Sequence, residues 1–306
     1  MSTKRRMLVT GAAGMVGSYA RGAFHEWDLI LTDLAGCHVR LDIRDPEAVK
    51  SVIEESRPDA ILHLAAATDV DRCEQEPDWA FHVNAIGTQN IALACQRCSI
   101  PLIYVSTAAI FSGDKKEPYN EFDFPKPANV YGHSKLGGEQ IIASLLRQYY
   151  IVRAGWMIGG GVQKDKKFVG KIVRLIFEGR EELSVVDDKI GSPTYARDLL
   201  AGIKTLIETG YYGVYHMVNR GYGSRYEIAL VVREALGRPD VSIVPVSSAS
   251  FPLPAPRGRS EALHNLKLQL LELDQMRPWE DALREYVASE LSGPLRADSA
   301  KVATKL

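Results

Sequence analysis

A glycine-rich turn near the start of the chain constrains the fold more than any other feature. Gly11, Gly14 and Gly17 follow the apolar run Met7–Thr10 and precede a helical stretch. Glycine lets the backbone approach a pyrophosphate closely, and the N–H groups at the start of the helix face the phosphates. Asp33 lies 22 residues after Gly11, at the end of the next predicted strand, where a carboxylate can accept hydrogen bonds from a ribose. The combination predicts a dinucleotide-binding βαβ unit.

Short apolar runs then alternate with amphipathic helical stretches. This succession predicts an α/β fold with a Rossmann-type, doubly wound parallel sheet. The predicted strands are Met7–Thr10, Leu29–Thr32, Ala60–Leu64, Leu102–Val105 and Tyr150–Arg153. We expect residues 1–156 to form the NAD(P)-binding domain, with 183–220 returning to it. Residues 157–182 and 221–306 are expected to form a smaller, mixed α/β substrate domain.

Two local patterns organise the C-terminal half. Ser224 and Glu227 have the spacing of a capping box and predict a helix that begins there. The sequence of residues 251–256 is Phe-Pro-Leu-Pro-Ala-Pro, which cannot continue a helix and predicts a loop.

Composition excludes several classes of partner. The 37 Lys and Arg residues nearly balance 38 Asp and Glu residues, so the net charge is −1, and we expect no nucleic-acid and no membrane-surface partner. No apolar run reaches the roughly 18 residues of a membrane span. The four cysteines are too few for a disulfide framework, which favours the cytoplasm.

The segment Tyr131-Gly-His-Ser-Lys135 predicts the catalytic chemistry. Tyr131 and Lys135 share one helix face, and the strand before that helix ends in Ser106-Thr107. Strand ends and helix starts of a parallel sheet meet at the same crevice as the glycine turn. A lysine ammonium stabilises a tyrosine phenolate, and a threonine hydroxyl can bind a carbonyl oxygen. We therefore predict proton transfer by Tyr131, with Lys135 and Thr107 beside it, and hydride exchange with the cofactor.

These residues carry a resemblance to a known family. The chain resembles an extended short-chain dehydrogenase/reductase, and within that superfamily the dTDP-4-dehydrorhamnose reductase family, over about residues 7–285. The matching segments are His63-Leu-Ala-Ala-Ala-Thr-Asp-Val-Asp71, Asn84-Ala-Ile-Gly-Thr88, Tyr131–Lys135 with Leu-Gly-Gly-Glu139, Ile151-Val-Arg-Ala-Gly-Trp156 and Val186-Asp-Asp-Lys-Ile-Gly-Ser-Pro-Thr-Tyr-Ala-Arg-Asp-Leu199.

The resemblance implies roles for residues across the chain. It implies Thr107, Tyr131 and Lys135 as the catalytic set, and no metal ligands. The expected cofactor-binding residues are Gly11, Gly14, Met15, Val16, Gly17, Asp33, Asp42, Ile43, Leu64, Ala65, Ala66, Tyr131, Lys135 and Arg153. The expected substrate-binding residues are Thr68, Thr107, Ala108, Trp156, Ser192, Pro193 and Thr194.

One departure from the family bears on the substrate. The family usually has Ser-Thr-Asp-Tyr-Val-Phe where this chain has Ser106-Thr-Ala-Ala-Ile-Phe111. Ala108 and Ala109 predict a wider and less polar crevice beside Thr107. We therefore expect weaker activity on dTDP-4-dehydrorhamnose than on a nucleotide-sugar that differs in its sugar or base.

The resulting hypothesis is an NAD(P)-dependent oxidoreductase that reduces a nucleotide-linked 4-keto-6-deoxy sugar. An NAD-dependent nucleotide-sugar epimerase or dehydratase is the first alternative. A non-catalytic NAD(P)-binding regulatory subunit is the second. The Asp33 carboxylate would repel a 2′-phosphate, which favours NAD(H), with NADP(H) as the alternative. A homodimer also stays open.

Overall fold

The computed structural model of the chain describes residues 4–36 and 38–293. The outer domain limits predicted at residues 1 and 306, and Cys37, lie outside these residues. Within the described residues, no helix is long and apolar enough to span a bilayer.

The strands, in chain order, are β1 Arg6–Thr10, β2 Asp28–Asp33, β3 Val39–Arg40, β4 Ala60–His63, β5 Leu102–Thr107, β6 Tyr149–Ala154, β7 Trp156–Ile158, β8 Glu182–Val186, β9 Ile190–Gly191, β10 Pro193–Tyr195, β11 Gly213–His216, β12 Gly223–Ser224, β13 Ser242–Val246 and β14 Ser260–Glu261. The α-helices are α1 Ala20–Ala23, α2 Pro46–Ser56, α3 Val70–Gln75, α4 Pro77–Phe81, α5 Thr88–Cys98, α6 Val130–Leu145, α7 Gly161–Lys164, α8 Phe168–Phe177, α9 Ala196–Thr209, α10 Arg225–Ala235, α11 Leu266–Leu270 and α12 Trp279–Tyr286. Short 3₁₀ turns cover Gly17–Tyr19, Ala108–Ile110 and Ser248–Ser250, and π-helical segments cover His82–Gly87 and Val287–Ser292.

The largest sheet within the described residues has seven parallel strands in the order β11-β6-β5-β4-β1-β2-β3. The chain runs outward from β1 in both directions, which confirms the predicted doubly wound α/β fold. Alternate side chains of each strand face opposite sides of a sheet. Accordingly, Val9 and Leu62 pack with α9 on one side, while Leu8 and Ile61 pack with α2 and α5 on the other.

A smaller body follows β7. The strand β8 pairs in parallel with β13, and β9 pairs with both β12 and β14. Its apolar core takes residues from α8, α10 and α12, including Val173, Ile228 and Leu283. The predicted capping box is confirmed, because Ser224 and Glu227 exchange hydrogen bonds at the start of α10.

Only the later part of residues 183–220 returns to the main sheet, whereas the whole segment was expected to do so. The strand β8 does not pair with the main sheet, because its partner β13 belongs to the smaller body. Only α9 and β11 return: β11 is the edge strand beside β6, and α9 supplies Leu199 and Ile203 to the core under the sheet.

Candidate active site

A cavity of about 1370 Å³ runs along the carboxyl ends of the main-sheet strands, and the smaller body contributes part of its wall. Sixteen of the residues expected from the sequence line it: Gly11, Gly14, Met15, Val16, Gly17, Asp33, Asp42, Ile43, Leu64, Ala65, Ala66, Thr68, Thr107, Tyr131, Lys135 and Trp156. One cavity therefore holds the glycine turn, the tyrosine–lysine pair and a part of the smaller body.

The glycine turn is packed against the end of β4. Gly11 has a φ of +68°, and a Cβ there would lie 2.6 Å from the Ala65 nitrogen. A side chain at Gly17 would lie 2.5 Å from the Gly11 carbonyl oxygen. Thr10 Oγ1 accepts hydrogen bonds from the N–H groups of Leu64 and Ala65, each at 3.2 Å. Only glycine fits at position 11, where the turn needs both a positive φ and close backbone contact.

Two acidic residues stand at the β2–β3 end of the cavity. Asp33 accepts hydrogen bonds from the N–H of Ala13 at 2.9 Å and of Leu34 at 2.7 Å, which fixes the carboxylate against the glycine turn. Asp42 is held by the Arg44 guanidinium, whose hydrogen bonds keep the pKa of that carboxyl below its usual range. Arg44 also lines the cavity and is a cation that the sequence analysis did not single out.

The residues present fit a dinucleotide. The tightly packed glycine turn lines the cavity with backbone where a pyrophosphate would bind, and Asp33 is placed for a ribose. Ser106 Oγ in the cavity wall is buried and has no hydrogen-bond partner among the residues that the structure describes. A buried, unpaired hydroxyl is costly, so a bound polar ligand would satisfy it.

The helix α6 brings the predicted catalytic residues together. Asn129 caps the helix, Tyr131 is its second residue, and Gly132 is its third. Burial raises the pKa of Tyr131 to about 12, and a hydrogen bond with Thr107 opposes this rise. Lys135 is buried, donates from Nζ to the Val105 carbonyl oxygen at 2.9 Å, and lies 4.0 Å above the Tyr104 ring. Burial lowers the pKa of Lys135 to about 7.

Arg153 does not line the cavity, and its role in cofactor binding stays a prediction. It is buried on β6 and forms an ion pair with Glu139 on α6, with Nη2 and Oε2 2.7 Å apart. Its Nε also donates to the same carboxylate at 3.1 Å. Glu139 lies one helical turn after Lys135, so the ion pair stands behind the catalytic lysine.

Ser192, Pro193 and Thr194 are also absent from the cavity wall, and their role in substrate binding stays a prediction. All three are buried behind the wall. Ser192 donates its hydroxyl to the Gly221 carbonyl oxygen at 3.0 Å, and Thr194 Oγ1 accepts from the Gly155 N–H at 3.1 Å. These hydrogen bonds hold the backbone beside Trp156, whose backbone N–H donates to the Ser192 carbonyl oxygen at 2.8 Å.

Ala108 does not line the cavity either, and its role at the substrate stays a prediction. Its side chain packs in an apolar cluster with Ile110 and Phe111, away from the cavity. Ala109 does line the cavity. The turn Ala108–Ile110 directs neighbouring side chains differently, so only Ala109 of the two alanines faces the cavity.

The far end of the cavity contains side chains that no local motif identified. The Arg225 guanidinium lies 3.6 Å above the Trp156 ring and 5.0 Å from the Phe168 ring centre. Trp156 Nε1 donates to Glu261 at 2.6 Å. Burial lowers the pKa of Arg225 to about 10, and both burial and the nearby Arg225 lower the pKa of Lys167. Two cations and an indole ring therefore face the cavity together.

Comparison with known proteins places this geometry among reductases. The family model described as the RmlD substrate binding domain matches residues 5–292. The chain is 38% identical to the dTDP-4-dehydrorhamnose reductase of Mycobacterium tuberculosis over 301 residues, covering 96% of this chain and 95% of the relative.

Solved structures agree with the sequence comparison. A dTDP-4-dehydrorhamnose reductase of Bacillus anthracis in complex with NADP is 39% identical, with a TM-score of 0.87 over 93% of this chain and 99% of that one. The Yersinia enterocolitica reductase is 40% identical, with a TM-score of 0.86 over 93% and 99%. A Thermus thermophilus UDP-glucose 4-epimerase shares the fold at 22% identity, with a TM-score of 0.78.

Proposed function

Because this chain belongs to the family of the RmlD substrate binding domain, we propose that it reduces the 4-keto group of a nucleotide-linked 6-deoxy sugar with NAD(P)H. The observation that carries the proposal is the meeting of Thr107, Tyr131 and Lys135 in the same cavity as the glycine turn. The relatives of 38–40% identity named here are reductases, whereas the epimerase, at 22%, supports the fold alone.

Residues of this chain would transfer the proton. Bound NAD(P)H supplies the hydride to the carbonyl carbon. Thr107 donates a hydrogen bond to the carbonyl oxygen, and Tyr131 transfers its phenolic proton to that oxygen as the alcohol forms. Lys135 then stabilises the Tyr131 phenolate, since a nearby ammonium favours the charged form. Solvent returns one proton to Tyr131, so each turnover consumes one NAD(P)H and one proton.

The cations at the far end suit the rest of the substrate. Arg225 and Lys167 face the cavity near Trp156, where a diphosphate would satisfy both charges. Guanidinium and ammonium groups are the usual partners of phosphate oxygens in proteins. Thr68 and Ala109 would lie at the sugar. Homodimer formation and a cytoplasmic location stay predictions.

A stoichiometric assay tests the proposal. dTDP-4-dehydrorhamnose and other nucleotide-linked 4-keto-6-deoxy sugars are mixed with the enzyme and NADPH or NADH, and the loss of absorbance at the nicotinamide band is followed. One mole of cofactor oxidised per mole of sugar alcohol supports a reductase. Conversion of the sugar without net cofactor loss would identify an epimerase or dehydratase, and no conversion would favour the regulatory subunit. Because Ala109 widens the crevice, we expect dTDP-4-dehydrorhamnose to be a weaker substrate than an analogue of different sugar or base.

Cofactor choice depends on Asp33 and Arg44. We propose that both cofactors bind. The Asp33 carboxylate would repel a 2′-phosphate and so favours NADH, whereas the 39% identical reductase solved in complex with NADP favours NADPH. Arg44 lines the same end but is engaged by Asp42. Dissociation constants of NADH and NADPH measure the preference directly. Tenfold tighter binding of NADPH, about 1.4 kcal/mol, would contradict the role of Asp33. The variant Arg44→Ala then shows whether the guanidinium binds the phosphate, since it should weaken NADPH alone.

A further inference from the structure

Two large apolar side chains stand exposed at the rim of the active-site cavity. Phe251 is 49% exposed and Leu253 57% exposed, and both line the cavity. They belong to residues 247–257, here called the rim loop. Exposed apolar surface costs about 25 cal/mol per Å², so a folded chain gains by covering such residues. Their position points to a ligand that covers them.

The rim loop is held at both ends, so its apolar tip has a fixed place. At one end, Asp188 accepts hydrogen bonds from the Ser247 hydroxyl at 2.8 Å and from the Ser248 N–H at 3.0 Å. At the other end, Asp71 accepts from the Ala255 N–H at 3.1 Å and pairs with Arg257.

The loop is also tied to the catalytic helix and stiffened by proline. Asn129, the cap of α6, donates from its amide to the Pro256 carbonyl oxygen at 2.9 Å. Pro252, Pro254 and Pro256 restrict the backbone between the anchors. A loop ordered before binding loses little conformational entropy when a ligand arrives.

The charge near the rim loop indicates what kind of ligand fits. Arg225, Lys167 and Lys189 line the same cavity. Lys189 Nζ donates to the Arg257 carbonyl oxygen at 2.9 Å, at the base of the rim loop. An apolar ring next to cations matches a molecule with a flat aromatic part joined to phosphates, which is a nucleoside diphosphate.

The cofactor is not the molecule expected at this rim. Asp33 and Asp42, at the predicted adenine end, follow β2 and β3, whereas Asp71 follows β4 and Asn129 lies between β5 and α6. In the sheet order, β2 and β3 lie on one side of β1, and β4 and β5 lie on the other. A dinucleotide spans this reversal, so its adenine base is expected on the β2–β3 side and its reacting end near Tyr131 and Lys135, which leaves the rim loop for a different base.

We propose that Phe251, flanked by Leu253, is the stacking platform for the base of the nucleotide-sugar. The inference rests on the proposed function and adds the residue that reads the nucleotide end of the substrate. Base–aromatic stacking contributes about 1–3 kcal/mol, which corresponds to about 5–150-fold in affinity.

Binding of dTDP to the full-length chain, measured by calorimetry with and without NADPH, tests the proposal. Phe251→Ala should weaken dTDP binding about 10-fold or more, whereas Phe251→Tyr keeps an aromatic ring and should stay within about twofold. Phe124→Ala is the matched control, since Phe124 is 89% exposed and is not in the cavity wall. Inorganic pyrophosphate should bind wild type and Phe251→Ala equally, because it lacks a base.

Three results with Phe251→Ala would overturn the platform. They are equal dTDP affinity in Phe251→Ala and wild type, an equal loss of affinity for dTDP and pyrophosphate, and an equal loss of affinity for dTDP and NADPH. The proposed reaction is tested separately. It would be contradicted if no cofactor were oxidised in the presence of keto-sugars. A base-dependent loss in Phe251→Ala would support the platform even in that case. No binding of dTDP to the wild type would overturn the platform as well.

Discussion

At the scale of single residues, the candidate site combines a tyrosine that is a weak acid with a lysine whose pKa is near 7. Burial raises the pKa of Tyr131 to about 12 and lowers the pKa of Lys135 to about 7. A phenol with so high a pKa gives up its proton readily only when a cation stabilises the phenolate. The charge state of Lys135 therefore decides whether Tyr131 can act as the acid.

Tyr131→Phe removes the acidic proton and keeps the ring. Turnover should fall on the order of 10²-fold or more, because general acid catalysis supplies about that factor. The dissociation constant of NADPH should change little. Steady-state kinetics and cofactor titration measure both quantities, with Tyr222→Phe, a half-exposed tyrosine, as the control. Full turnover in Tyr131→Phe would remove the proton-donor role.

Glu139→Gln tests the buried ion pair behind the lysine. The Glu139 carboxylate raises the pKa of Lys135, so its loss should lower that pKa further below about 7. Since the protonated lysine is the active form, kcat/KM should decline at a lower pH than in the wild type. Arg153 is also left without its partner, which costs about 3–5 kcal/mol for a broken buried pair.

The double variant Glu139→Gln/Arg153→Met separates the two effects of that change. It removes both charges, so stability to urea should recover while the shifted pH profile remains. A pH profile of Glu139→Gln that matches the wild type would show that Glu139 serves packing alone.

At the scale of elements, α6 owes its position to a close contact with the turn after β5. A Cβ on Gly132 would lie 2.1 Å from the Ala109 carbonyl oxygen and 2.9 Å from Pro127 Cβ. The first turn of α6, which carries Tyr131, can therefore approach Thr107 only because residue 132 has no side chain.

Gly132→Ala should push that first turn away from Thr107. A displacement of about 1 Å at a catalytic group can cost about 10²-fold in rate, so we expect a loss of that order in turnover. Gly137→Ala on the same helix meets Ala85 Cβ at 3.4 Å, an ordinary contact, and should keep its activity and its stability. If Gly132→Ala retained full activity, the close contact would not position Tyr131.

Much of this architecture could be predicted because buried parallel strands are continuous apolar runs. The observed β1, β2, β5 and β6 extend one or two residues beyond their predicted limits. The pairing of β8 with β13 could not be predicted, since the two strands are far apart in sequence and no spacing links them. The glycine turn and the Tyr131–Lys135 pair were found because they are local patterns.

A common physical reason explains why some of the predicted site residues do not line the cavity. Arg153 and Thr194 lie on strands or strand ends beside the cavity, but side chains of a strand alternate between its two sides. The sequence located these strands correctly, but it did not determine which of their side chains face the cavity. Arg225 and Glu261 were missed because they come from distant parts of the smaller body and meet only after folding.

At the scale of the whole molecule, two buried histidines link stability to pH. His63 and His216 are both buried, and burial lowers the pKa of each from 6.5 to about 3. Between pH 6.5 and 3 the unfolded chain binds more protons than the native one, so the free energy of unfolding falls as the pH falls. Each histidine contributes a slope of about 1.4 kcal/mol per pH unit.

Urea denaturation at pH 7, 6 and 5 measures this dependence. His216→Gln should show a shallower fall in stability than the wild type, because one of the two titrating groups is gone. His25→Gln is the control, since that side chain is 69% exposed. Parallel curves for His216→Gln and the wild type would mean that other groups govern the acid sensitivity.

The late return of the chain to the main sheet has a consequence for biosynthesis. The core under that sheet includes Leu199 and Ile203 of α9, and also Leu268 and Met276. A nascent chain of 156 residues holds the glycine turn and the Tyr131–Lys135 pair, yet one side of its sheet still lacks the cover of α9, Leu268 and Met276. At about 5–20 residues per second, the ribosome needs roughly 6–24 s more to reach residue 276. During that interval the apolar side of the sheet is a surface that chaperones would shield, and cofactor binding can stabilise the fold only after the last of these residues has been made.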